Sequence, residues 1–398
     1  MTTALENPNI LSLAAGFTDS HTLPVLDVGN AVKDLLSRPG LPECLQYGPN
    51  QGRPELCRQV AKRLMEQDGV PFSKEDSKKV FMTNGSQQAL FLATQVLCDM
   101  GDIVFVESPS YFVYLEMLKG QGVEARPLPI DEAGMIDHQS FERELIAMKQ
   151  SGEINRVKAV YLVSYFSNPS GESRSEAEKV KLGELLQRLD EPIAVIEDAA
   201  YRDLYFETEY PARSVVSLDA FNGISCLYLA TLTKPFATGL KIGSGFCTDQ
   251  EWLKRILWLK GHHDFGSSNF TQAILETVFL DGGIDRQLGL IRRVYSEKMK
   301  VLHTALCEEG LVEIGWKWRI PLGGLYLWLK APNSLDTRMK SAFWKACCCN
   351  EVMYIPGDLC YGNTMQCFDY VRLSFGVLNK REMVEAATRF VKTAKDFF

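Results

Sequence analysis

The sequence predicts an α/β fold: a mostly parallel sheet flanked by helices, with a smaller α+β domain beside it. Three observations carry that expectation. Between about residue 78 and residue 248, short apolar runs alternate with longer amphipathic ones, the order that strand–helix–strand units produce. After about Gly283 the rhythm changes to one long helical stretch followed by strands. The 398 residues, 46% hydrophobic and 23% charged, suffice to bury a large core and to form more than one domain.

In chain order, the strand candidates of the first part are 79–83, 103–107, 157–163, 193–197 and 224–230. They share a length and an apolar character, and helical runs separate them. From Gly283 a helix is expected through Cys307, then hairpin-like strands at 325–329 and 370–375, then a last helix from Lys380. The domain expectation is therefore residues 1–40 as a segment that joins the small domain, 41–282 as the large domain and 283–398 as the small one. No repeat or low-complexity linker separates them, so a cleft between closely packed parts is expected.

Composition excludes several roles. A formal net charge of -7 gives no electrostatic footprint for nucleic acid or an anionic membrane. No run of eighteen apolar residues occurs, and the start of the chain lacks the charged and apolar regions of a signal peptide, so a cytoplasmic location is expected. The 11 cysteines include no Cys-x-x-Cys pair and suit a reducing compartment. Cys347, Cys348 and Cys349 are consecutive, and neighbours on a helix point to different faces. They read as packing residues, and no metal site is expected.

The most telling stretch is Thr231-Leu-Thr233-Lys234-Pro-Phe-Ala-Thr-Gly239-Leu-Lys241-Ile-Gly243. It follows the apolar run 224–230, so the Lys234 amine stands at a strand's end inside a pocket, where an imine-forming lysine belongs. Thr231 and Thr233 before it and the Lys241 cation after it suit a phosphate, as a phosphorylated aldehyde cofactor requires. Taken alone, a lysine near a strand end is a solvated surface charge, and only its neighbours change that reading.

Asn84-Gly85-Ser86-Gln87-Gln88 lies between a strand and a helical run, where free helical N–H groups attract phosphate. By itself it is an ordinary helix cap. Neither the Gly-x-Gly-x-x-Gly spacing of a dinucleotide fold nor the Gly-Lys-Ser/Thr of a P-loop is present. Asp198 ends the strand 193–197 and Tyr201 follows, which places a carboxylate and a phenol at the sheet edge where α/β proteins bind ligands. A buried carboxylate there needs a cation, such as a protonated pyridine nitrogen, although a turn cap is the better explanation of Asp198 when it is viewed alone. Asn168-Pro-Ser-Gly171 is a turn whose amide can donate to a ring oxygen. Arg372 sits in an apolar strand, and its guanidinium fork matches a carboxylate; an exposed edge arginine is the alternative. Tyr111, after Ser108-Pro-Ser110, can stack on a flat ring or belong to the core.

Together these stretches resemble the fold type I pyridoxal-phosphate enzymes, specifically the class I/II aminotransferases in the group around 2-aminoadipate and kynurenine aminotransferases. The resemblance runs from about Leu11 to the C-terminus and rests on the order and spacing of Gly85-Ser-Gln-Gln, Gly101 to Tyr111, Asn168-Pro-Ser-Gly, Glu-Asp198-Ala-Ala-Tyr201, Thr-Leu-Thr-Lys234 and Arg372. It implies a seven-stranded sheet and pyridoxal 5'-phosphate as cofactor, held by Gly85, Ser86, Gln87, Tyr111, Asn168, Asp198, Tyr201, Thr231, Thr233, Lys234 and Lys241. Lys234, Asp198 and Tyr201 are then the catalytic residues. Arg372 takes the carboxylate of an amino acid or 2-oxo acid, with Asn168, Gly16 and Tyr47 near the substrate. Tyr47 in Tyr-Gly-Pro-Asn-Gln-Gly52 matches a tyrosine that reaches the phosphate of the neighbouring subunit, so a homodimer is implied.

Departures from the pattern also carry expectations. Position 241 is lysine where the family usually has arginine, which replaces a bidentate clamp by a point charge, and Pro235 after the lysine is uncommon. No arginine precedes Arg38, which argues against a dicarboxylic donor, whereas Gly16, Phe17, Leu23 and Tyr47 point to an apolar or aromatic one. Transamination is the expected reaction; β-elimination, decarboxylation, racemisation or oxidation on the same cofactor is the alternative, because the same residues serve each. Regulators built on this fold carry a DNA-binding domain ahead of it. The resemblance begins near residue 11, so an enzyme is expected instead.

Overall fold

A computed structural model of the protein describes residues 9–131, 133–332, 335–362 and 367–398; residues 1–8 of the N-terminal segment lie outside them. Its centre is a seven-stranded sheet. Across it the strands run Val80–Thr83, Gly243–Cys247, Cys226–Thr231, Ala194–Asp198, Val157–Leu162, Ile103–Val106 and Glu124–Pro127. All are mutually parallel except Gly243–Cys247, which runs antiparallel to both of its neighbours.

Alternate residues of each central strand enter different cores, as a pleated sheet covered on both faces requires. Val104, Tyr161, Ile196 and Leu227 pack with Leu90, Tyr114, Trp252 and Ile256 on one face. Phe105, Val160, Val195 and Cys226 pack with Phe141, Leu145, Leu182 and Leu186 on the other.

Parallel strands bring their carboxyl ends to one edge, and the reversed strand brings its beginning there: Gly243 is in register with both Thr83 and Thr231. The turn after Val80–Thr83, the segment leading into Gly243 and the residues after Thr231 therefore converge. Two strands of this sheet carry little signal in the sequence. Gly243–Cys247 has two glycines in five residues, and Glu124–Pro127 is an edge strand with two charges and a proline.

The helix Gly283–Glu308 leads into a four-stranded antiparallel sheet ordered Ile355–Pro356, Tyr370–Ser374, Tyr326–Lys330 and Lys317–Trp318. Tyr326–Lys330 and Tyr370–Ser374 are neighbours but not a hairpin, since the helix Ala342–Cys349 and further strands lie between them in sequence. The last helix, Lys380–Lys395, is closed by an Asn379–Glu382 capping box and buries Met383, Ala386, Ala387, Phe390, Val391 and Ala394, a stripe of helical spacing. Leu11–Ser12 pairs in parallel with Val352–Met353 as a separate two-stranded sheet, and Ser374 N, in the four-stranded sheet, donates to the Leu13 carbonyl, which holds the beginning of the described chain against it. All 11 cysteines are free thiols; along the helix Ala342–Cys349, Cys347 is buried, Cys348 half-buried and Cys349 exposed. Among the described residues no helix is long and apolar enough to cross a membrane.

Candidate active site

One pocket at the carboxyl edge of the large sheet is lined by Asn84, Gly85, Ser86, Gln87, Tyr111, Asn168, Asp198, Tyr201, Thr231, Thr233, Lys234 and Lys241. Val163 and Ala200 complete the lining, and the sequence-based expectation placed all of these residues here but Asn84, Val163 and Ala200. Lys234 lies three residues past the strand Cys226–Thr231, and its Nζ stands 4.8 Å from the centre of the Tyr201 ring.

At one end of the pocket, Gly85 caps the helix Ser86–Leu97 with no side-chain cap bond and a φ of 74° that favours glycine. The first N–H groups of that helix therefore face an anion position. Gly243 closes in beneath: a Cβ added there would lie 2.4 Å from Gly85 C and Ser86 N. The hydroxyl of Thr233 is buried without a partner, whereas Thr231 Oγ1 accepts from Thr233 N at 3.2 Å. Thr233 is thus the hydroxyl left for a ligand, and Thr231 shapes its turn. Lys241 reaches this end from a left-handed backbone conformation, with φ 57° and ψ 27°.

Asp198 is buried at the end of Ala194–Asp198. Burial pushes its carboxyl pKa up, and the Tyr161 hydroxyl, the Lys234 charge and the Ala200 N–H work against that shift. Tyr161 donates to Oδ2 at 2.9 Å and Ala200 N to Oδ1 at 3.0 Å. A cationic ring nitrogen beside this carboxylate would relieve the cost of burying it.

Arg372 is 2% exposed, in the strand Tyr370–Ser374. Its Nη1 donates to Asn168 Oδ1 at 2.7 Å and its Nη2 to the Ala14 carbonyl at 2.7 Å, while Nε is buried without a partner. A guanidinium only donates, so Asn168 must present its oxygen to Arg372, and its NH2 remains available to donate elsewhere. The Tyr326 ring lies 4.1 Å from the Arg372 guanidinium carbon and the Phe112 ring 5.4 Å from it.

Of the substrate-side expectations, Gly16 abuts the Tyr326 hydroxyl, which would lie 2.6 Å from a Cβ at position 16. Phe17 is half exposed and, like Leu23, lies outside the pocket lining. Tyr47 is 77% exposed, with its ring edge against Phe265 at 5.3 Å, and does not line the pocket of its own chain. Tyr161, Tyr326, Phe112 and the Ala14 carbonyl had escaped the sequence reading. The three rings sit in apolar runs that read as core, and a backbone carbonyl has no signature.

The residues fit a phosphorylated pyridine aldehyde. An unpartnered Thr233 hydroxyl and an uncapped helix start suit the phosphate, buried Asp198 suits a ring cation, and an amine stands between them.

The comparisons with known proteins agree with this geometry. Residues 8–390 match the family model for aminotransferase class I and II. An aromatic-amino-acid aminotransferase of Thermococcus litoralis is 28% identical over 98% of this chain and 89% of its own length. The kynurenine aminotransferase of Pyrococcus horikoshii superposes with a TM-score of 0.88 at 26% identity, covering 100% of this chain and 93% of that one. The α-aminoadipate aminotransferase LysN of Thermus thermophilus, solved with a phosphopyridoxyl-leucine adduct, gives 0.82 at 27% identity over 100% and 95%. The chain belongs to the aminotransferase class I and II family, enzymes of fold type I that use pyridoxal 5'-phosphate.

Proposed function

We propose that the protein transfers the amino group of an L-amino acid, with an apolar or aromatic side chain favoured, to a 2-oxo acid. The observation that carries this reading is that one pocket gathers the Lys234 amine, the Asp198 carboxylate and the Gly85–Gln87 turn, with Asn168 tying it to Arg372. Bound pyridoxal phosphate supplies an aldehyde for the amino group and an electron sink for the substrate α-carbon.

The chain's residues do the rest. Lys234 would hold the cofactor through Nζ, and its amine, when free, would be placed to move a proton at the substrate α-carbon. Asp198 keeps the ring nitrogen protonated, and Tyr161 and Ala200 fix its orientation. Gly85, Ser86, Gln87, Thr233 and Lys241 hold the phosphate, with Thr231 supporting Thr233, and Tyr111 covers the ring. Asn168 and Tyr201 donate to the ring oxygen. Arg372 takes the substrate carboxylate with Asn168 and Gly16 beside it, and its unpartnered Nε leaves hydrogen-bonding capacity for that group. Phe112 and Tyr326 set two aromatic rings beside Arg372, which favours an apolar or aromatic donor, as does the aromatic-amino-acid activity named for the Thermococcus relative. Exposed Tyr47 and Phe265 form an aromatic pair on the surface that suits a second subunit, in which Tyr47 reaches the neighbouring site. Free thiols throughout suit the cytoplasm.

The test uses single amino acids. With pyridoxal phosphate bound and no acceptor, each site should release one equivalent of 2-oxo acid and stop; an added 2-oxo acid should restore turnover. Continuous release of ammonia, carbon dioxide or peroxide instead identifies elimination, decarboxylation or oxidation. Lys234→Ala should abolish covalent attachment of the cofactor, as read by borohydride reduction and mass spectrometry.

A further inference from the structure

The hydroxyls of Tyr201 and Tyr326 lie 3.0 Å apart in the buried wall between the Lys234 amine and the Arg372 guanidinium. Each phenol has one proton to donate. If Tyr201 spends its proton on a ligand oxygen in the pocket, the contact survives only with Tyr326 as the donor. We propose that Tyr326 is a positioning residue that acts through Tyr201: it donates to the Tyr201 oxygen and so aims and strengthens the hydrogen bond from Tyr201 to the cofactor's ring oxygen. This rests on the pyridoxal phosphate reading above.

Three features hold Tyr326 in that role. Its ring is fixed beneath Arg372 at 4.1 Å, and its strand is zipped to Tyr370–Ser374, where residue 326 faces Ser374. Gly16 has no Cβ and leaves the hydroxyl its place; a methyl group there would lie 2.6 Å from it. Burial raises the Tyr201 phenol well above its ordinary value, so it stays protonated and remains a donor. The titratable and charged groups facing Tyr201 are Tyr326, Tyr111, Arg372 and Lys234. Chained hydrogen bonds polarise one another, so the outer phenol makes the inner one a better donor.

The consequence can be read without turnover. A donor on the ring oxygen weakens that oxygen's hold on the proton of the neighbouring lysine nitrogen. That nitrogen's titration, visible in the cofactor absorption band, therefore lies at lower pH with the donor than without it. Tyr201→Phe should move the titration up. Tyr326→Phe should move it up by a smaller amount, and adding Tyr326→Phe to Tyr201→Phe should move it no further. Gly16→Ala, which crowds the outer hydroxyl, should shift it in the same direction as Tyr326→Phe. A titration unmoved by Tyr326→Phe while Tyr201→Phe moves it overturns the proposal, as does an equal extra shift in the Tyr201→Phe background. Absence of any cofactor band in the wild-type protein contradicts the underlying reading instead.

Discussion

Tyr161 donates a hydrogen bond to Asp198 across 2.9 Å, from one strand to the next, with both side chains buried. The contact opposes the effect of burial, which raises the carboxyl pKa of Asp198. Tyr161→Phe removes it without changing the ring, so the carboxyl pKa should rise further and the carboxylate should ionise only at higher pH. The acid limb of the kcat profile should move to higher pH, with little change in KM for the amino acid.

Stability gives the same residue a second readout. A carboxyl whose folded value lies above its unfolded one favours the protonated native state, so the cofactor-free protein loses stability as pH rises through the interval between them. Tyr161→Phe should extend that loss to higher pH. It should also cost about 1.5–3 kcal/mol where Asp198 is ionised, the range for a hydrogen bond to a charged group. A melting temperature whose pH dependence matches the wild type would contradict the assignment.

Arg372 spends two nitrogens on Asn168 and Ala14, which fixes its plane. Lysine at that position has one compact ammonium and cannot replace the fork. Arg372→Lys should raise KM for the amino acid by about 10- to 100-fold, the worth of roughly one charge-assisted hydrogen bond. Covalent attachment of the cofactor at Lys234 should persist. A KM within twofold of wild type would remove Arg372 from carboxylate binding.

Gly243 touches the backbone of the Gly85 turn from below. Backbone cannot swing aside, so Gly243→Ala should displace the turn and weaken cofactor binding by about 1–3 kcal/mol. Gly239→Ala, on the same segment with open space around it, is the control and should leave affinity unchanged. Equilibrium dialysis of apoprotein against pyridoxal phosphate compares the two.

Beneath the site, Lys179 and Glu197 form an ion pair at 2.7 Å, and both side chains are 0% exposed. Glu197 also accepts from Val215 N, and Lys179 donates to the Tyr165 hydroxyl and the Arg213 carbonyl. Lys179→Met leaves a buried carboxylate with no cation and should destabilise the fold by about 3–5 kcal/mol in denaturant titration. Adding Glu197→Gln should recover part of that loss; no recovery would mean that the lysine acts through packing alone.

The sheet and the residues at its carboxyl edge were legible because they obey local rules. Apolar runs of strand length mark the parallel strands, and polar residues at or just past their ends, such as Asp198 and Lys234, point to a ligand through their combination, since each alone has an ordinary turn or surface explanation. Gly243–Cys247 was missed because glycines chosen for close approach dilute the strand signal. Tyr161 and Tyr326 were missed because an aromatic in a strand reads as core, and only the third dimension shows where its hydroxyl ends. The link between Asn168 and Arg372 spans 204 positions and leaves no trace in spacing.

The Ala14 carbonyl and Arg372 stand 358 positions apart, and Leu11–Ser12 is paired with Val352–Met353. During synthesis the contact between Ala14 and Arg372, proposed above to hold the substrate carboxylate, therefore cannot form until nearly the whole polypeptide has left the ribosome. The large sheet, finished at Cys247, has its strands in hand well before that. A nascent chain can thus gather the residues around Lys234 early, while the Arg372 side of the site waits until the two ends of the chain meet.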